Sequence, residues 1–243
     1  MWGKSEPSVR LGFRQIKGLR IAHAQTIIQC REKFGPFKSI EHFQQLTRLP
    51  RHAMHRLAEA DAFSSLNLTR RQALWQVLAL DDRNSPLFDD LAAADTIDPN
   101  LPTMPLGQEV MTDYSTIGLS LKEHPVALVR EQLNEKQITP AAQVINMPYG
   151  RWVRVAGLVL IRQRPGTASG IVFETLEDET GIVNLIVRPN IYDKYRLAAR
   201  HSALLQAEGY VERQGQVVHV MAWKLHDLSH LLAGYRFTSR DFH

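Results

Sequence analysis

Apolar residues recur at intervals of three and four through the first third of the chain, which is the spacing of one buried helix face. They predict a helix over Ile21–Lys33 that ends at Gly35. Ser39 is placed to cap a second helix, and further helices are predicted over Arg51–Ala60 and Thr69–Leu80. The pattern predicts an all-α module of short helices.

From Trp152 onward the apolar pattern changes to the alternation that is typical of strands. Pro189 suits the first turn of a helix, which predicts one helix to about Arg200 between the third and fourth strands. Five strands with one helix at that place match the OB-fold, a small Greek-key β-barrel that binds oligonucleotides. The predicted strands cover residues 152–161, 170–178, 182–188, 203–212 and 217–223.

Two tight turns, Ile16–Arg20 and Thr47–Arg51, each precede a predicted helix. A helix start presents unpaired N–H groups and the positive end of the helix dipole, so it accepts a phosphate without reading bases. The arrangement resembles a tandem helix-hairpin-helix module, in which a hydrophobic residue lies between two glycines. Gly18 keeps the first glycine and the second hairpin has none, which predicts a less close approach of phosphate there. The predicted duplex-binding residues are Lys17, Gly18, Arg20, Arg48, Arg51 and Arg56.

In OB-folds the second and third strands, with the first and fourth loops, form the groove for single strands. Such grooves combine positive charge with aromatic rings on which bases stack. Phe173 is the candidate ring, with a core position as the alternative, and residues 162–169 are predicted to form a basic loop. Nearby carboxylates predict weak affinity with steep salt dependence. The predicted residues for single-stranded DNA are Arg162, Arg164, Phe173, Arg188 and Arg213.

The 243 residues carry a net charge of +4, unevenly distributed. The balance is +8 over residues 1–75, −7 over residues 76–145 and +3 over residues 146–243. Each block is equally well explained as a solvated face or as a surface for a charged partner. The predicted organisation is a multi-domain α + β chain. It has a tandem helix-hairpin-helix module over 1–80, an acidic, proline-containing linker with short helices over 81–147, an OB-fold over 148–230 and a C-terminal tail over 231–243.

Several kinds of chemistry lack the residues that they need. There is no apolar run of about 18 residues to span a membrane, and the N-terminus has no signal-peptide pattern. Cys30 is the only cysteine, which excludes an internal disulfide and predicts a cytoplasmic location. No phosphate-binding loop or zinc-binding helix motif is present. The carboxylates of Glu177–Glu179 would alternate between the faces of a strand, so we expect a turn there. We expect no catalytic residue, metal or cofactor in this chain.

The order of the predicted parts resembles the C-terminal region of bacterial DNA polymerase III alpha-subunit proteins. The stretches that resemble this family are 11–19, 35–39, 59–63 and 176–181. Two further stretches, Gly118–Pro125 and Ser239–His243, resemble its error-prone, damage-induced branch. The resemblance spans nearly the whole chain from Val9.

This resemblance implies a role in translesion synthesis and DNA-damage tolerance. It also implies that nucleotidyl transfer, with its Mg²⁺, uses aspartates that these residues do not include. The hairpins would hold duplex primer-template, and the barrel would hold the single-stranded template.

The resemblance further implies two protein partners, an accessory mutasome protein and the sliding clamp. Asn84–Phe88 faintly resembles a clamp-binding peptide, although Leu87 and Phe88 would equally tether the linker to the fold. The competing hypothesis is a module that docks the polymerase to these proteins with little DNA contact. The acidic middle block favours that hypothesis, and the basic first block favours DNA binding.

Overall fold

The computed structural model describes residues 11–82, 101–166, 169–215 and 217–235. The clamp-like segment Asn84–Phe88 and the closing motif Ser239–His243 therefore lie outside the described residues. The chain divides into two compact units. One contains the described residues up to Pro105 together with Thr112–Ser120, and the other contains Leu106–Met111 and the residues from Leu121 on.

The helical unit has helices close to the positions that the sequence predicts. They are α1 (Ile21–Phe34), α2 (Ile40–Thr47), α3 (Arg51–Glu59) and α4 (Arg70–Asp82). Gly35 ends α1 with a φ of 82°, which an L side chain rarely adopts. The Ser39 hydroxyl accepts the His42 N–H at 3.1 Å and caps α2. Thr69 and Gln72 form a reciprocal pair of hydrogen bonds at the start of α4, as in a capping box.

The core of the helical unit is apolar and includes an aromatic edge-to-face stack. Phe43 lies 4.7 Å from Phe37 and 5.2 Å from Phe63, measured between ring centroids. Buried aliphatic side chains from α1 to α4 surround Phe43 and Phe63, among them Ile27, Ile40, Met54, Leu57 and Val77. Burial of this face holds the four short helices together.

A buried ion pair joins α4 to α5 (Leu106–Thr116). The fully buried guanidinium of Arg70 donates to Oδ1 of Asp113, and the Ser120 hydroxyl donates to Oδ2 at 2.8 Å. The backbone N–H of Lys17 donates to the carbonyl of Thr116 at 2.9 Å. These contacts fix residues 112–120 against the helical unit.

The second unit contains short helices and a closed barrel. The helices α6 (Arg130–Glu135) and α7 (Ala141–Val144) precede the barrel and follow a 3-10 turn at Ala127–Val129. The barrel elements are β1 (Trp152–Gln163), β2 (Val172–Asp178), β3 (Gly181–Val187), α8 (Pro189–Lys194), α9 (Arg196–His201), β4 (Leu204–Gln214) and β5 (Val217–Asp227).

The strand order around the barrel is β1-β2-β3-β5-β4, closed by the pairing of β4 with β1. The pairing of β3 with β5 is parallel and the others are antiparallel. This architecture confirms the predicted OB-fold. Two details of the prediction are wrong. The single helix is divided at Tyr195 into α8 and α9, and β1 continues through Arg162, which was predicted to lie in a loop.

Alternate residues of the strands fill the barrel. Leu176, Leu185, Leu205 and Leu225 are nearly or fully buried. Gly209 lies at an irregularity in the β4–β5 register, where a Cβ would be 2.0 Å from the carbonyl oxygen of Met221, so only glycine fits. Among the described residues, no helix has the length and apolar character that a bilayer crossing requires.

Candidate nucleic-acid interface

The first hairpin connects the 3-10 turn Phe13–Gln15 to α1. Gly18 has a φ of 78°, a backbone conformation that glycine adopts more easily than any other residue. Arg20 is the exposed, extended N-cap of α1 and makes no side-chain cap bond. The first N–H groups of α1 have no acceptor within the helix, which suits them to an anion.

The second hairpin reaches the same kind of helix start without a glycine. Arg48 adopts a left-handed conformation with a φ of 49° and accomplishes the turn that a glycine normally makes. Pro50 is the N-cap of α3, and Arg51 and His52 follow as exposed residues of its first turn. The missing glycine therefore leaves the geometry of the hairpin intact.

The two hairpins lie side by side. A Cβ placed on Gly18 would be 3.5 Å from Nε of Arg56, which belongs to α3. The rings of His23 in α1 and His52 in α3 lie 5.6 Å apart. We call this region, formed by residues 17–21, 48–52 and Arg56, the hairpin surface. It brings together the six residues that the sequence predicts for duplex binding.

Among the six, Lys17 and Arg56 have side-chain contacts with identified partners. Nζ of Lys17 donates to the carbonyl of Tyr114 at 3.3 Å, and Nη1 of Arg56 lies 3.1 Å from Oε2 of Glu59. Both basic side chains are exposed, and an ion pair at the surface such as Arg56–Glu59 holds its partners weakly. Positive charge therefore remains available at both helix starts.

In the barrel, Phe173 lies on the outward face of β2. Its neighbours Val172 and Glu174 are buried, while Phe173 is half-buried, so the alternative of a core position is wrong. Phe173 pairs with Ile186 on β3, which places Arg188 just beyond the same end of the sheet. The guanidinium of Arg164 lies over the ring of Tyr192 at 5.5 Å. Arg164 and Arg188 are both exposed near Phe173.

Arg162 and Arg213, which the sequence predicts to bind single-stranded DNA, both donate hydrogen bonds to backbone carbonyls of the protein. Nε of Arg162 donates to the carbonyl of Ala199 at 2.9 Å, and its Nη2 donates to the carbonyl of Ser202. Nη2 of Arg213 donates to the carbonyl of Ile145 at 2.5 Å. The strand position of Arg162 explains its basic character without nucleic acid. Arg213 stays exposed beside the fourth loop.

Glu174 is a buried carboxylate inside the barrel. It is 1% exposed, and neither of its oxygens has a hydrogen-bond partner among the described residues. Desolvation raises its pKa to about 7, although Nε of Arg162 at 3.8 Å opposes the shift. When Glu174 is ionised, its carboxylate attracts the guanidinium of Arg162 and so helps to hold this arginine against the barrel.

Of the acidic stretch expected to form a turn, Glu177 and Asp178 are instead the last residues of β2, and the turn to β3 consists of Glu179 and Thr180. Oδ1 of Asp178 accepts the N–H groups of Thr180 and Gly181 at 2.7 and 3.1 Å. Arg130 contacts Asp178 at 3.0 Å and Glu179 at 2.5 Å. Burial lowers the pKa of Arg130, but the contacts with Glu179 and Asp178 outweigh it and the pKa is raised.

Within the described ranges, no group of three or more His, Cys, Asp or Glu residues is arranged to hold a metal. The Mg²⁺ that the family resemblance implies therefore has no fitting site in the described part of this chain. His124 stabilises a turn, because its Nδ1 accepts the Val126 N–H at 3.2 Å.

The sequence analysis missed three exposed aromatic residues on the outside of the barrel. Trp152 on β1, Tyr210 on β4 and Trp223 on β5 are 37%, 43% and 53% exposed. The Tyr210 ring lies 4.6 Å from that of Trp152 and 6.5 Å from that of Trp223. One available signal was that Tyr210 occupies the polar face of its strand, with Glu208 and Glu212 two residues away on either side.

Comparison with known proteins agrees with this architecture. A family model described as "Helix-hairpin-helix motif" matches residues 3–73. Error-prone DNA polymerase 2 of Agrobacterium fabrum is 44% identical over 96% of this chain and 22% of its own length. The error-prone DNA polymerase of Sinorhizobium medicae is 42% identical over 98% of the chain and 22% of its own length. That of Pseudomonas aeruginosa is 41% identical over 100% of the chain and 23% of its own length. The chain thus spans about a fifth of the length of these curated relatives.

Proposed function

Since this chain is homologous along nearly all of its residues to a part of the error-prone DNA polymerases, we propose that it is the DNA-binding C-terminal part of such a polymerase. In this role it holds primer-template DNA while the enzyme copies damaged template, which is translesion synthesis. Nucleotidyl transfer, with its Mg²⁺, belongs in this proposal to the remainder of the polymerase.

The observation that carries the proposal is the hairpin surface. Two helix starts with exposed basic residues lie next to each other, linked by the approach of Arg56 to Gly18. Their N–H groups and cations suit two phosphates of one duplex, and phosphate contacts of this kind position DNA without reading its sequence. A polymerase that must move along any template needs contacts of this type.

In this proposal the barrel binds the single-stranded template. Phe173, Arg164 and Arg188 lie at one end of the β2–β3 face, where OB-folds bind single strands. A half-exposed ring between two exposed cations provides stacking together with attraction for phosphate. In this proposal the single-stranded template contacts that face while the hairpins hold the duplex.

Charge reversal at the second hairpin tests the duplex contact. Arg48→Glu with Arg51→Glu places two negative charges at the start of α3, so we expect binding to a fluorescent primer-template to weaken about tenfold or more at moderate salt. Fluorescence anisotropy measures the change.

The matched control is a double reversal of Arg31 and Lys33, which changes the charge equally at the other end of α1. We expect it to weaken binding far less. Equal loss for the two double variants would show only general attraction between DNA and a basic protein. No loss at Arg48 and Arg51 would favour the competing role as a module that docks protein partners with little DNA contact.

A further inference from the structure

The exposed aromatic residues continue a row that begins at the expected single-strand groove. The strand register pairs Phe173 with Ile186, Ile186 with Met221, Met221 with Tyr210, and Tyr210 with Trp152. Each of these side chains is half-buried or exposed, so each lies on the outward face of the barrel. The row crosses from β2 over β3, β5 and β4 to the start of β1. We call it the aromatic row, and it includes Trp223, which is exposed beside Tyr210.

Basic side chains accompany the exposed end of the row. Arg154, Lys224 and His226 lie 3.8, 3.9 and 3.6 Å from oxygens of one carboxylate, that of Glu208. One carboxylate neutralises one cation, so Arg154 and Lys224 together leave positive charge here even with a neutral histidine. Arg151 adds another exposed cation next to Trp152.

Among the described residues, Glu212 is a second acidic residue on this face, and the strand register places it opposite His219. Counting it, the described residues around Trp152 and Tyr210 include three cations, Arg151, Arg154 and Lys224, against the two carboxylates of Glu208 and Glu212. Exposed rings interleaved with surplus cations are the combination that holds single-stranded nucleic acid. The centre of a protein–protein interface is instead depleted of charged residues, so the charges around Trp152 and Trp223 favour nucleic acid as the occupant.

We propose that single-stranded DNA follows the aromatic row beyond the β2–β3 groove and stacks bases on Tyr210, Trp223 and Trp152. This inference deepens the proposed function, on which it rests, by naming a second contact face on β4, β5 and the start of β1. Neighbouring strands lie about 4.8 Å apart, so the four steps from Phe173 to Trp152 cover about 19 Å. At about 3.4 Å per stacked nucleotide this accommodates five or six bases, within the range for one OB-fold.

The test replaces the rings while keeping their apolar character. Trp223→Leu and Tyr210→Leu remove an aromatic ring, Trp223→Phe keeps one, and Leu197→Ala removes an exposed apolar side chain on α9 that is not aromatic. Binding of the intact chain to a fluorescent oligo-dT is measured by anisotropy at low and moderate salt. We expect each leucine variant to bind about tenfold more weakly, while Trp223→Phe and Leu197→Ala stay close to wild type.

The salt dependence adds a second readout. Loss of a stacking ring removes no phosphate contact, so the ratio between wild type and Trp223→Leu is expected to stay constant as salt rises. Thermal melting shows whether each variant is folded, and Tyr210→Leu gives an independent test even if Trp223→Leu is not.

The outcomes separate this inference from the function on which it rests. Binding by wild type with equal affinity in every variant overturns the second contact face and leaves the barrel's single-strand role standing. Equal weakening in Trp223→Leu and Trp223→Phe also overturns the stacking role. Absence of oligo-dT binding by wild type at low salt overturns the single-strand role itself, and the row would then suit a protein partner.

Discussion

At the scale of one residue, Arg48 combines a left-handed backbone with a proposed contact to DNA. Its left-handed conformation, with a φ of 49°, costs an L-residue about 1 kcal/mol relative to glycine. The same residue is an exposed cation at the hairpin surface. A strained backbone at a binding position is expected where the side chain has a function that glycine lacks.

Arg48→Gly is therefore expected to change stability and binding in opposite directions. Relief of the left-handed conformation raises the free energy of unfolding by about 1 kcal/mol, while loss of the cation weakens duplex binding several-fold. Urea denaturation and anisotropy measure the two effects. Asn67→Gly, at another left-handed position with a φ of 59°, is the control and leaves binding unchanged. A loss of stability in Arg48→Gly would show that the arginine has a structural role in the turn.

Glu174 predicts how the stability of the barrel depends on pH. Its pKa of about 7 in the folded state exceeds the ordinary value of 4.5, so the folded chain binds a proton more tightly than the unfolded chain. Below pH 4.5 the group is protonated in both states and has no effect. Between pH 4.5 and 7 it lowers the free energy of unfolding progressively, and above pH 7 the full penalty applies.

The variant Glu174→Gln removes that penalty. We expect it to raise the free energy of unfolding by about 1–3 kcal/mol at pH 8 and to change it little at pH 4. Urea denaturation at the two pH values measures the difference. Glu212→Gln, which makes the same chemical change on the outward face of β4, is the control. A stabilisation of equal size at both pH values would contradict an ionised Glu174 as the cause.

At the scale of elements, the buried pair of Arg70 and Asp113 joins α4 to α5 across a long stretch of sequence. Asp113→Asn removes the carboxylate that lies nearest the buried guanidinium and leaves the more distant one of Asp61 at 3.9 Å, so we expect the unfolding free energy to fall by about 3–5 kcal/mol. Glu59→Gln, which removes the exposed partner of Arg56, is expected to cost less than about 1 kcal/mol. Similar small losses in the two variants would contradict a structural role for the buried pair.

The elements themselves follow from local signals. Ser39, Thr69, Gly35 and Pro189 begin or end helices where the sequence predicts them, because caps and breakers act over a few residues. The strands follow from alternation, and the OB-fold from their order around one helix. The division of that helix at Tyr195 has no comparable signal in the neighbouring residues.

The side chains available at the candidate interface are harder to predict from the sequence than the elements that carry them. Gly18 and the clustered basic residues are local signals that indicate the hairpins. The hydrogen bonds from Arg162 to the carbonyls of Ala199 and Ser202, by contrast, join residues about 40 positions apart. The alignment of Trp152 with Tyr210 likewise depends on strand register, which pairing across the barrel determines. Local patterns reveal elements, and long-range pairing decides which side chains remain available to a ligand.

At the scale of the whole molecule, the central claim is that both units hold DNA through its phosphates. The most direct measurement is the salt dependence of binding by the intact chain, using anisotropy with a primer-template and with a matching single strand. We predict binding to both at low salt, with the logarithm of the association constant falling linearly and steeply with the logarithm of salt concentration. Absence of binding to either DNA at low salt would contradict the account.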